Sequence, residues 1–258
     1  MSGSIFIGTS GWNYKHWANG RFYPKGLAQK NWLSFYAGKF GTVEVNNTFY
    51  RLPSAETFTD WARTVPREFV FATKASRFIT HIKRLKEPEE SVRLFLSRLS
   101  RFGKRRGPVL FQLPPQMKAD PERLKDLHRS LKGSKGLKVV LEFRHESWLT
   151  DEIYNFVEKA GWTICLADAP KFKREIPALG SFCYIRRHGA TARYASCYSD
   201  EQLSANAKFI ARMVKKQKDV YVYFNNDAEA YAPKNALTLM KMVPNRYLAK
   251  YPSRSARE

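Results

Sequence analysis

The chain alternates between short apolar segments and longer amphipathic ones. Eight apolar segments have the length and composition of β-strands, and they begin at Ile5, Thr42, Phe69, Pro108, Lys138, Thr163, Ser181 and Val220. Helical patterns begin at Ser54, Pro88, Asp120, Thr150 and Ser199, and a final one follows Asn226. Strands that alternate with helices form a parallel sheet, and eight such units close into a (β/α)₈ barrel. We therefore predict the α/β class, with a single TIM barrel over residues 1–249 and a flexible tail over residues 250–258.

Polar residues recur on one face of these strands, near their C-terminal ends. Side chains alternate across a strand, so Glu44 and Asn46 share a face opposite Val45, and Glu142 and Arg144 share a face in the fifth strand. The C-terminal ends of barrel strands form the ligand-binding face of this fold. We therefore predict a polar ring at the barrel mouth, made of Thr9, Glu44, Asn46, Lys74, Gln112, Glu142, Arg144, Asp168, Arg186, His188 and Asn225.

Three interpretations of this ring are open. In the first, Lys74, Arg144 and Arg186 bind an anionic ligand without a metal. The candidate catalytic residues for proton transfer are then Glu44, Glu142, Asp168 and His188. In the second, these four acidic and imidazole side chains bind Mg²⁺, Mn²⁺ or Zn²⁺, although cations lie among them and no HxH or HExxH motif is present. In the third, the charges form ion pairs that only stabilise the barrel mouth.

An aromatic and basic segment follows the first strand. We expect Trp12 and Tyr14 to contribute to substrate binding, because their rings, with those of Trp17 and Phe22, can stack on a base or a sugar. The same rings can equally cover the top of the barrel. The loop over residues 14–31 is a candidate lid or binding wall.

Composition restricts the partners more than the reaction. The formal net charge is +22, which favours contact with nucleic acid or another polyanion, although a solvated basic exterior needs no partner. No apolar run reaches the length of a membrane span, and no secretion signal is visible. The three cysteines form no CxxC pair, so we expect a reducing, cytoplasmic setting. Neither a phosphate-binding glycine motif nor a GxSxG motif is present.

Several motifs, taken together and in order, resemble one family. They are GTSGWNY at Gly8, VEVNNTFYRLP at Val43, FATKAS at Phe71, LFQLPP at Leu110, LEFRHESW at Leu141, ADAP at Ala167, YIRRHG at Tyr184 and YFNND at Tyr223. The chain resembles the YecE-like family, also called domain of unknown function 72, from Ile5 to about Val243. The resemblance implies a TIM barrel and no established reaction, so it assigns no catalytic residue. Arg187 departs from the apolar residue usual there, and its parity predicts that it points away from the site.

These observations lead to one main hypothesis and two alternatives. The main hypothesis is an enzyme of the hydrolase or isomerase type, which acts by hydrolysis or acid–base chemistry on a polar, anionic substrate. A phosphorylated sugar and a nucleic-acid phosphodiester are the candidate substrates. The first alternative is a non-catalytic nucleic-acid-binding protein. The second is a phosphodiesterase that depends on a divalent metal, and we predict no other cofactor.

Overall fold

All eight predicted strands are present in the computed structural model, which describes residues 3–168, 172, 175–189 and 196–249. They are β1 (Ile5–Thr9), β2 (Thr42–Val45), β3 (Val70–Lys74), β4 (Arg106–Gln112), β5 (Val139–Glu142), β6 (Thr163–Ala167), β7 (Phe182–Arg187) and β8 (Asp219–Phe224). Every paired neighbour is parallel, in the order β1-β8-β7-β6-β5-β4-β3-β2. The predicted TIM barrel is therefore confirmed.

The helices surround this sheet. Five of them begin within one residue of the predicted start, and the sixth, predicted directly after Asn226, begins at Tyr231. The helices are α1 (Trp32–Ala37), α2 (Asn47–Tyr50), α3 (Ala55–Thr64), α4 (Glu89–Leu99), α5 (Pro121–Ser130), α6 (Asp151–Lys159), α7 (Asp200–Lys215) and α8 (Tyr231–Met242). Ser199 and Gln202 form a capping box at α7, which fixes its start. The sequence did not predict α1 and α2, because helices of six and four residues are too short to show a clear period. No helix of the described residues is long and apolar enough to cross a membrane.

The barrel closes at the seam between β1 and β2. There the strands meet through a single bridge between Ser10 and Glu44, and the Gly11 amide donates to the Glu44 carbonyl at 2.8 Å. Gly8 permits this close approach, because a Cβ at that position would lie 2.2 Å from the carbonyl oxygen of Thr42. Glu44 is therefore fixed by backbone contacts as well as by its side chain.

Apolar and aromatic side chains fill the interior of the barrel below its mouth. The residues packed there are Ala72, Leu110, Val140, Cys165, Phe182, Tyr184, Tyr221 and Tyr223. A larger cluster packs between the outer face of the sheet and the helices. The tyrosine hydroxyls find partners inside the barrel: Tyr223 with Thr42 at 2.7 Å, and Tyr184 with Glu44 at 2.6 Å. The packed interior thus ends at the carboxylate of Glu44, and the polar residues of the barrel mouth lie above it.

The alternation predicted for β7 is confirmed. Tyr184 and Arg186 lie inside the barrel, whereas Arg187 donates to the side-chain oxygen of Asn206 on α7 at 2.8 Å. The departure at Arg187 therefore falls outside the site. The predicted tail over residues 250–258 lies outside the described residues.

Replacement of Gly8 by alanine should destabilise the barrel. The added Cβ would force β1 away from β2, so we expect the free energy of unfolding to fall by about 1–3 kcal/mol. Gly38→Ala is the matched control, because Gly38 has φ −77° and its nearest contact to an added Cβ is 3.3 Å. Chemical denaturation measures both variants. Equal effects would contradict the close-approach argument.

Candidate active site at the C-terminal end of the barrel

The guanidinium of Arg186 lies at the centre of the site. It is 1 % exposed, and Glu44 beside it is fully buried. Its Nε donates to both Glu44 oxygens at 3.0 and 3.2 Å, and its Nη2 donates to Oε1 at 2.9 Å. Ser10 and Tyr184 also donate to this carboxylate, at 2.7 and 2.6 Å. Every oxygen of Glu44 is thus occupied by donors.

A second buried carboxylate, that of Glu142, lies on the other side of Arg186. Nη1 of Arg186 donates to its Oε2 at 2.8 Å, and Gln112 donates to Oε1 at 2.8 Å. Arg144 forms an ion pair with the same Oε1. Burial alone would raise the pKa of Glu142, but the guanidinium groups of Arg186 and Arg144 hold it well below its usual range. Glu142 is therefore an ionised anchor at neutral pH.

His188 lies against both arginines and is neutral. Its Nε2 is 3.0 Å from Nη2 of Arg144 and 3.4 Å from Nη1 of Arg186. Because arginine is always a donor, Nε2 must accept, and the ring proton belongs on Nδ1. Nδ2 of Asn225 lies 3.0 Å from Nδ1, and because both would then be donors, the amide is assigned the flipped orientation, in which its oxygen accepts from Nδ1. Burial, supported by the arginine charges, lowers the pKa of His188.

Asp168 joins β6 to the end of β7. Its Oδ1 accepts from the backbone amide of His188 at 2.9 Å, and its Oδ2 accepts from the hydroxyl of Tyr198. The Tyr198 hydroxyl in turn accepts from the amide of Gly189 at 2.8 Å. This carboxylate therefore holds the backbone beside His188 in place.

Above this charged layer lies a polar pocket of about 340 Å³. It is lined by Tyr14, Asn46, Tyr50, Lys74, Gln112, Arg186, Asn225 and Asp227. A hollow of about 230 Å³ adjoins it through Tyr14, Asn46 and Tyr50, and Trp12 lines that hollow. A larger hollow of about 620 Å³ lies away from this face, between α4 and α5. We place the candidate site in the polar pocket, because it lies at the ligand-binding end of the barrel and the predicted ring converges there.

Lys74, the last residue of β3, faces this pocket without a counter-ion. Its Nζ lies 3.9 Å from the centre of the Phe49 ring, and no described residue forms an ion pair or hydrogen bond with it. Burial, followed by the charge of Arg186, lowers the pKa of Lys74 to about 7. The carboxylates Glu44 and Glu142 oppose this shift, but both are already paired with arginine. Lys74 is therefore a poorly solvated amine that gains and loses a proton near neutral pH.

Two further groups of the pocket carry unused polar capacity. The side-chain oxygen of Asn46 is buried and has no hydrogen-bond partner among the described residues. Burial raises the pKa of Asp227, whose carboxylate lies 3.4 Å from Nε2 of His16. A donor on a ligand would satisfy Asn46, and Asp227 is a second group able to carry a proton.

The structure separates the predicted site residues into four sets. Six line the pocket: Tyr14, Asn46, Lys74, Gln112, Arg186 and Asn225. Trp12 lines the adjoining hollow. Glu44, Glu142, Arg144 and His188 are buried in the ionic cluster with Arg186, and Asp168 braces it. Thr9 is also fully buried, and its hydroxyl donates to the carbonyl of Gly11 at 2.6 Å, so its geometry favours a structural role.

The aromatic segment stacks mostly on itself. Trp17 is fully buried, donates to the carbonyl of Asp227 at 2.8 Å and packs against the half-buried Phe22, so of the two alternatives given for these rings the geometry favours covering the top of the barrel. Sequence reasoning also missed Tyr50 and Asp227 as pocket residues. Tyr50 ends a helix that was not predicted, and Asp227 looked like turn chemistry.

The donor set does not fit a metal centre. Among the residues that the structure describes, no group of three or more His, Cys, Asp or Glu side chains could hold a metal ion. Both oxygens of Glu44 and of Glu142 accept hydrogen bonds, with arginines among the donors. We therefore derive no step through a metal.

Fold and site together define a TIM-barrel protein with a polar pocket at the C-terminal ends of its strands. The model of the family described as protein of unknown function DUF72 matches residues 6–257, and the chain belongs to this family. UPF0759 protein YunF of Bacillus subtilis is 25% identical over an alignment of 274 positions, gaps included, which covers 94% of this chain and 96% of YunF. UPF0759 protein YecE of Escherichia coli K12 is 32% identical over 110 residues, or 43% of this chain and 38% of YecE.

A solved structure supports the same assignment. The crystal structure of a DUF72 family protein from Thermotoga maritima superimposes with a TM-score of 0.81 and is 30% identical, covering 93% of this chain and 98% of that protein.

Glu142→Gln should be strongly destabilising above pH 5. The substitution removes the carboxylate that pairs with Arg144 and one of the two that pair with Arg186, so we expect a loss of about 3 kcal/mol in the free energy of unfolding. The folded pKa of Glu142 lies below its unfolded value, so the stabilisation is present above about pH 4.5 and disappears as the pH falls. Denaturation of wild type and variant from pH 7 to pH 3 should show the difference shrinking.

Glu229→Gln is the control for this measurement. Glu229 pairs with Arg21 at the surface and is 59% exposed, so its loss should cost less than about 1 kcal/mol. An equal loss of unfolding free energy in both variants would show that burial does not determine how much these ion pairs contribute to stability.

Lys74→Met should stabilise the protein at pH 6. The folded pKa of Lys74 is about 7, whereas an unfolded lysine titrates near 10.4, so charging Lys74 opposes folding. The penalty is complete below about pH 7 and is relieved as the pH rises toward about 10.4. We expect the free energy of unfolding of Lys74→Met to exceed that of the wild type by at least about 1 kcal/mol at pH 6. This lower bound is smaller than the free energy of one pKa unit, and the gain should fade by about pH 10. Lys39→Met, at an exposed lysine over Phe35, should show no such dependence.

Proposed function

We propose that the chain is an enzyme that carries out acid–base chemistry on a small, polar, anionic substrate in the pocket at the barrel mouth. The observation that carries the proposal is Lys74, a cation of the pocket whose Nζ forms no ion pair with any described carboxylate. A purely structural lysine gains nothing from such a position. A group whose pKa lies near the working pH can both take up and release a proton.

The charge balance of the site favours an anionic ligand. The carboxylates of Glu44 and Glu142 are matched by the guanidinium groups of Arg186 and Arg144. The third carboxylate of the region, that of Asp227, lies 3.4 Å from Nε2 of His16. Lys74 is therefore without an ion-pair partner among the described residues, and the anionic group of a substrate would provide one. Arg186 also lines the pocket, and one N–H of its Nη2 has no acceptor among the described residues.

In this proposal the two buried glutamates orient the site and do not transfer protons. Their oxygens are occupied by donors, and the pKa of Glu142 is lowered by its arginines, so it is a weak base. The proton carriers that face the pocket are Lys74 and Asp227. The sequence-based assignment of Glu44 and Glu142 as the acid–base pair is thus replaced by a positioning role.

The remaining lining favours a hydroxylated substrate. The side-chain amides of Asn46, Gln112 and Asn225 offer donors and acceptors of the kind that bind sugar hydroxyls. A volume of about 340 Å³ suits a small molecule. A phosphorylated sugar or a related phosphorylated polyol fits this combination better than a nucleic-acid duplex.

The net charge of +22 favours a second proposal, that the exterior of the barrel binds a polyanion. Basic side chains are exposed on the outer helices and their ends, such as Arg101, Lys104, Lys208, Lys215 and Lys216. Binding there would depend steeply on salt and would not need the pocket. This contact is compatible with an enzyme at the barrel mouth.

Ligand binding to the pocket should require Lys74. In a thermal-shift screen at about 0.15 M salt, where surface attraction is damped, we expect phosphate or a phosphosugar to raise the melting temperature of the wild type and of Lys39→Met. The same ligand should bind Lys74→Met at least about tenfold more weakly, because the positive charge of Lys74 is gone, so a correspondingly higher ligand concentration should be needed for the same rise in melting temperature.

The screen also separates the two proposals. Oligonucleotides that stabilise wild type and Lys74→Met equally, with a steep loss as salt rises, would support the exterior site alone. Small anions with no effect on any variant, at concentrations up to about 10 mM, would contradict the anion pocket.

A further inference from the structure

We propose that Lys74 is a nucleophile that forms an iminium with an aldehyde or ketone carrying an anionic group. This inference rests on the proposed function, since it requires the pocket of Lys74 to be the active site. It adds a substrate class, namely oxo acids and phosphorylated aldoses or ketoses, and a covalent step. The juxtaposition that points to it is an uncompensated amine, a guanidinium and an unpaired amide oxygen lining one pocket.

The first requirement is a free amine, and the ionic cluster supplies it. A lysine that only binds anions is normally kept protonated by nearby carboxylates. Here the bidentate fork of Arg186 occupies Glu44, and Arg186 and Arg144 occupy Glu142. With a pKa of about 7, roughly half of Lys74 is unprotonated at neutral pH, whereas an exposed lysine is almost fully protonated.

The second requirement is a fixed amine, and Phe49 supplies it. Nζ of Lys74 lies 3.9 Å from the centre of the Phe49 ring. The ring packs edge-on against His81 at 4.8 Å, and Thr80 holds the Nδ1 of His81 at 2.9 Å. Burial, followed by the charge of Lys74, lowers the pKa of His81 to about 4, so His81 is neutral and does not compete as a cation. An iminium remains positive, and the face of Phe49 stabilises it as it does the ammonium.

The third requirement is a set of groups that hold the substrate and move protons. Arg186 is the anchor for the anionic group, and the free side-chain oxygen of Asn46 accepts from a substrate hydroxyl. Asp227 lines the same pocket, and burial raises its pKa toward the range of a general acid. These groups surround the amine without pairing with it.

The step balances with residues of the pocket and without an oxidant. The lone pair of Nζ attacks the carbonyl carbon, and the carbonyl oxygen takes a proton from protonated Asp227. The nitrogen, now positively charged, returns a proton to the Asp227 carboxylate, which gives the neutral carbinolamine. Asp227 then protonates the departing hydroxyl, and water leaves as the nitrogen lone pair forms the C=N bond. The nitrogen keeps its last hydrogen and is the iminium, so the sum is amine, carbonyl and one proton giving iminium and water.

The test is reductive trapping with glyoxylate, a small aldehyde that carries a carboxylate. The full chain is incubated at pH 7 with glyoxylate and cyanoborohydride, which reduces the iminium to a stable secondary amine. Peptide mass spectrometry then gives the labelling rate of each lysine. We expect Lys74 to be labelled at least about tenfold faster than Lys39, an exposed lysine that also lies near a phenylalanine ring. The advantage should disappear near pH 10.5, where exposed lysines are also unprotonated.

A matched neutral aldehyde, glycolaldehyde, tests the anchor. The ratio of the labelling rates of Lys74 and Lys39 should be smaller with glycolaldehyde than with glyoxylate. Inorganic phosphate should slow the glyoxylate reaction at Lys74 and leave the labelling rate of Lys39 unchanged. Lys39→Met should keep the fast site, and Lys74→Arg should lose it.

The outcomes separate this inference from the proposed function. Labelling of Lys74 at the rate of Lys39, with anion binding still lost in Lys74→Met, would overturn the iminium and leave Lys74 as an anchor or proton carrier. Equal labelling together with unchanged anion binding in Lys74→Met would overturn both. Fast labelling by both aldehydes without protection by phosphate would overturn the anionic substrate class.

Discussion

The paired contacts of Arg186 with Glu44 and Glu142 are the interaction on which the rest of the site depends. A guanidinium presents its N–H groups in a rigid fork, so it can bridge two carboxylates that belong to β2 and β5. An ammonium lacks this planar fork, so it could not hold Glu44 in a bidentate contact while also reaching Glu142. Arg186 thereby links its own strand, β7, to β2 and β5 at the same level along the barrel axis. It also determines which other cation of the site remains without a partner.

That competition explains why Lys74 has no ion-pair partner. The carboxylates of Glu44 and Glu142 are paired with the two arginines, and that of Asp227 lies against His16. Lys74 receives only the face of Phe49, which is a weaker partner than an ion pair. Burial is the first cause of its lowered pKa, and the charge of Arg186 adds to it. Any ligand that brings its own negative charge completes the balance.

Strand parity predicted the composition of the barrel mouth but not its pairings. The alternation of Glu44 and Asn46 in β2 placed both near the mouth, and the structure agrees. Parity could not tell that Glu44 lies within the ionic cluster while Asn46 lines the pocket, because that depends on which strands meet across the barrel. The seam of β1 and β2, where Ser10 bridges to Glu44, is a tertiary contact with no local sequence signal. The place of Asp227 in the pocket could not be predicted for a similar reason, because it depends on the conformation of the loop that follows β8.

The cluster is more than the barrel needs for stability. Below it, Tyr184, Tyr223 and the apolar residues around them already fill the interior, and similar packing could have continued to the mouth. Replacing a buried ion-pair network by apolar residues is often neutral or stabilising. A lysine with a lowered pKa adds a further cost, because its charged form opposes folding at neutral pH. Stability alone therefore does not account for an uncompensated Lys74 beside a buried Arg186, whereas the proposed anionic carbonyl substrate would give Lys74 the partner that it lacks.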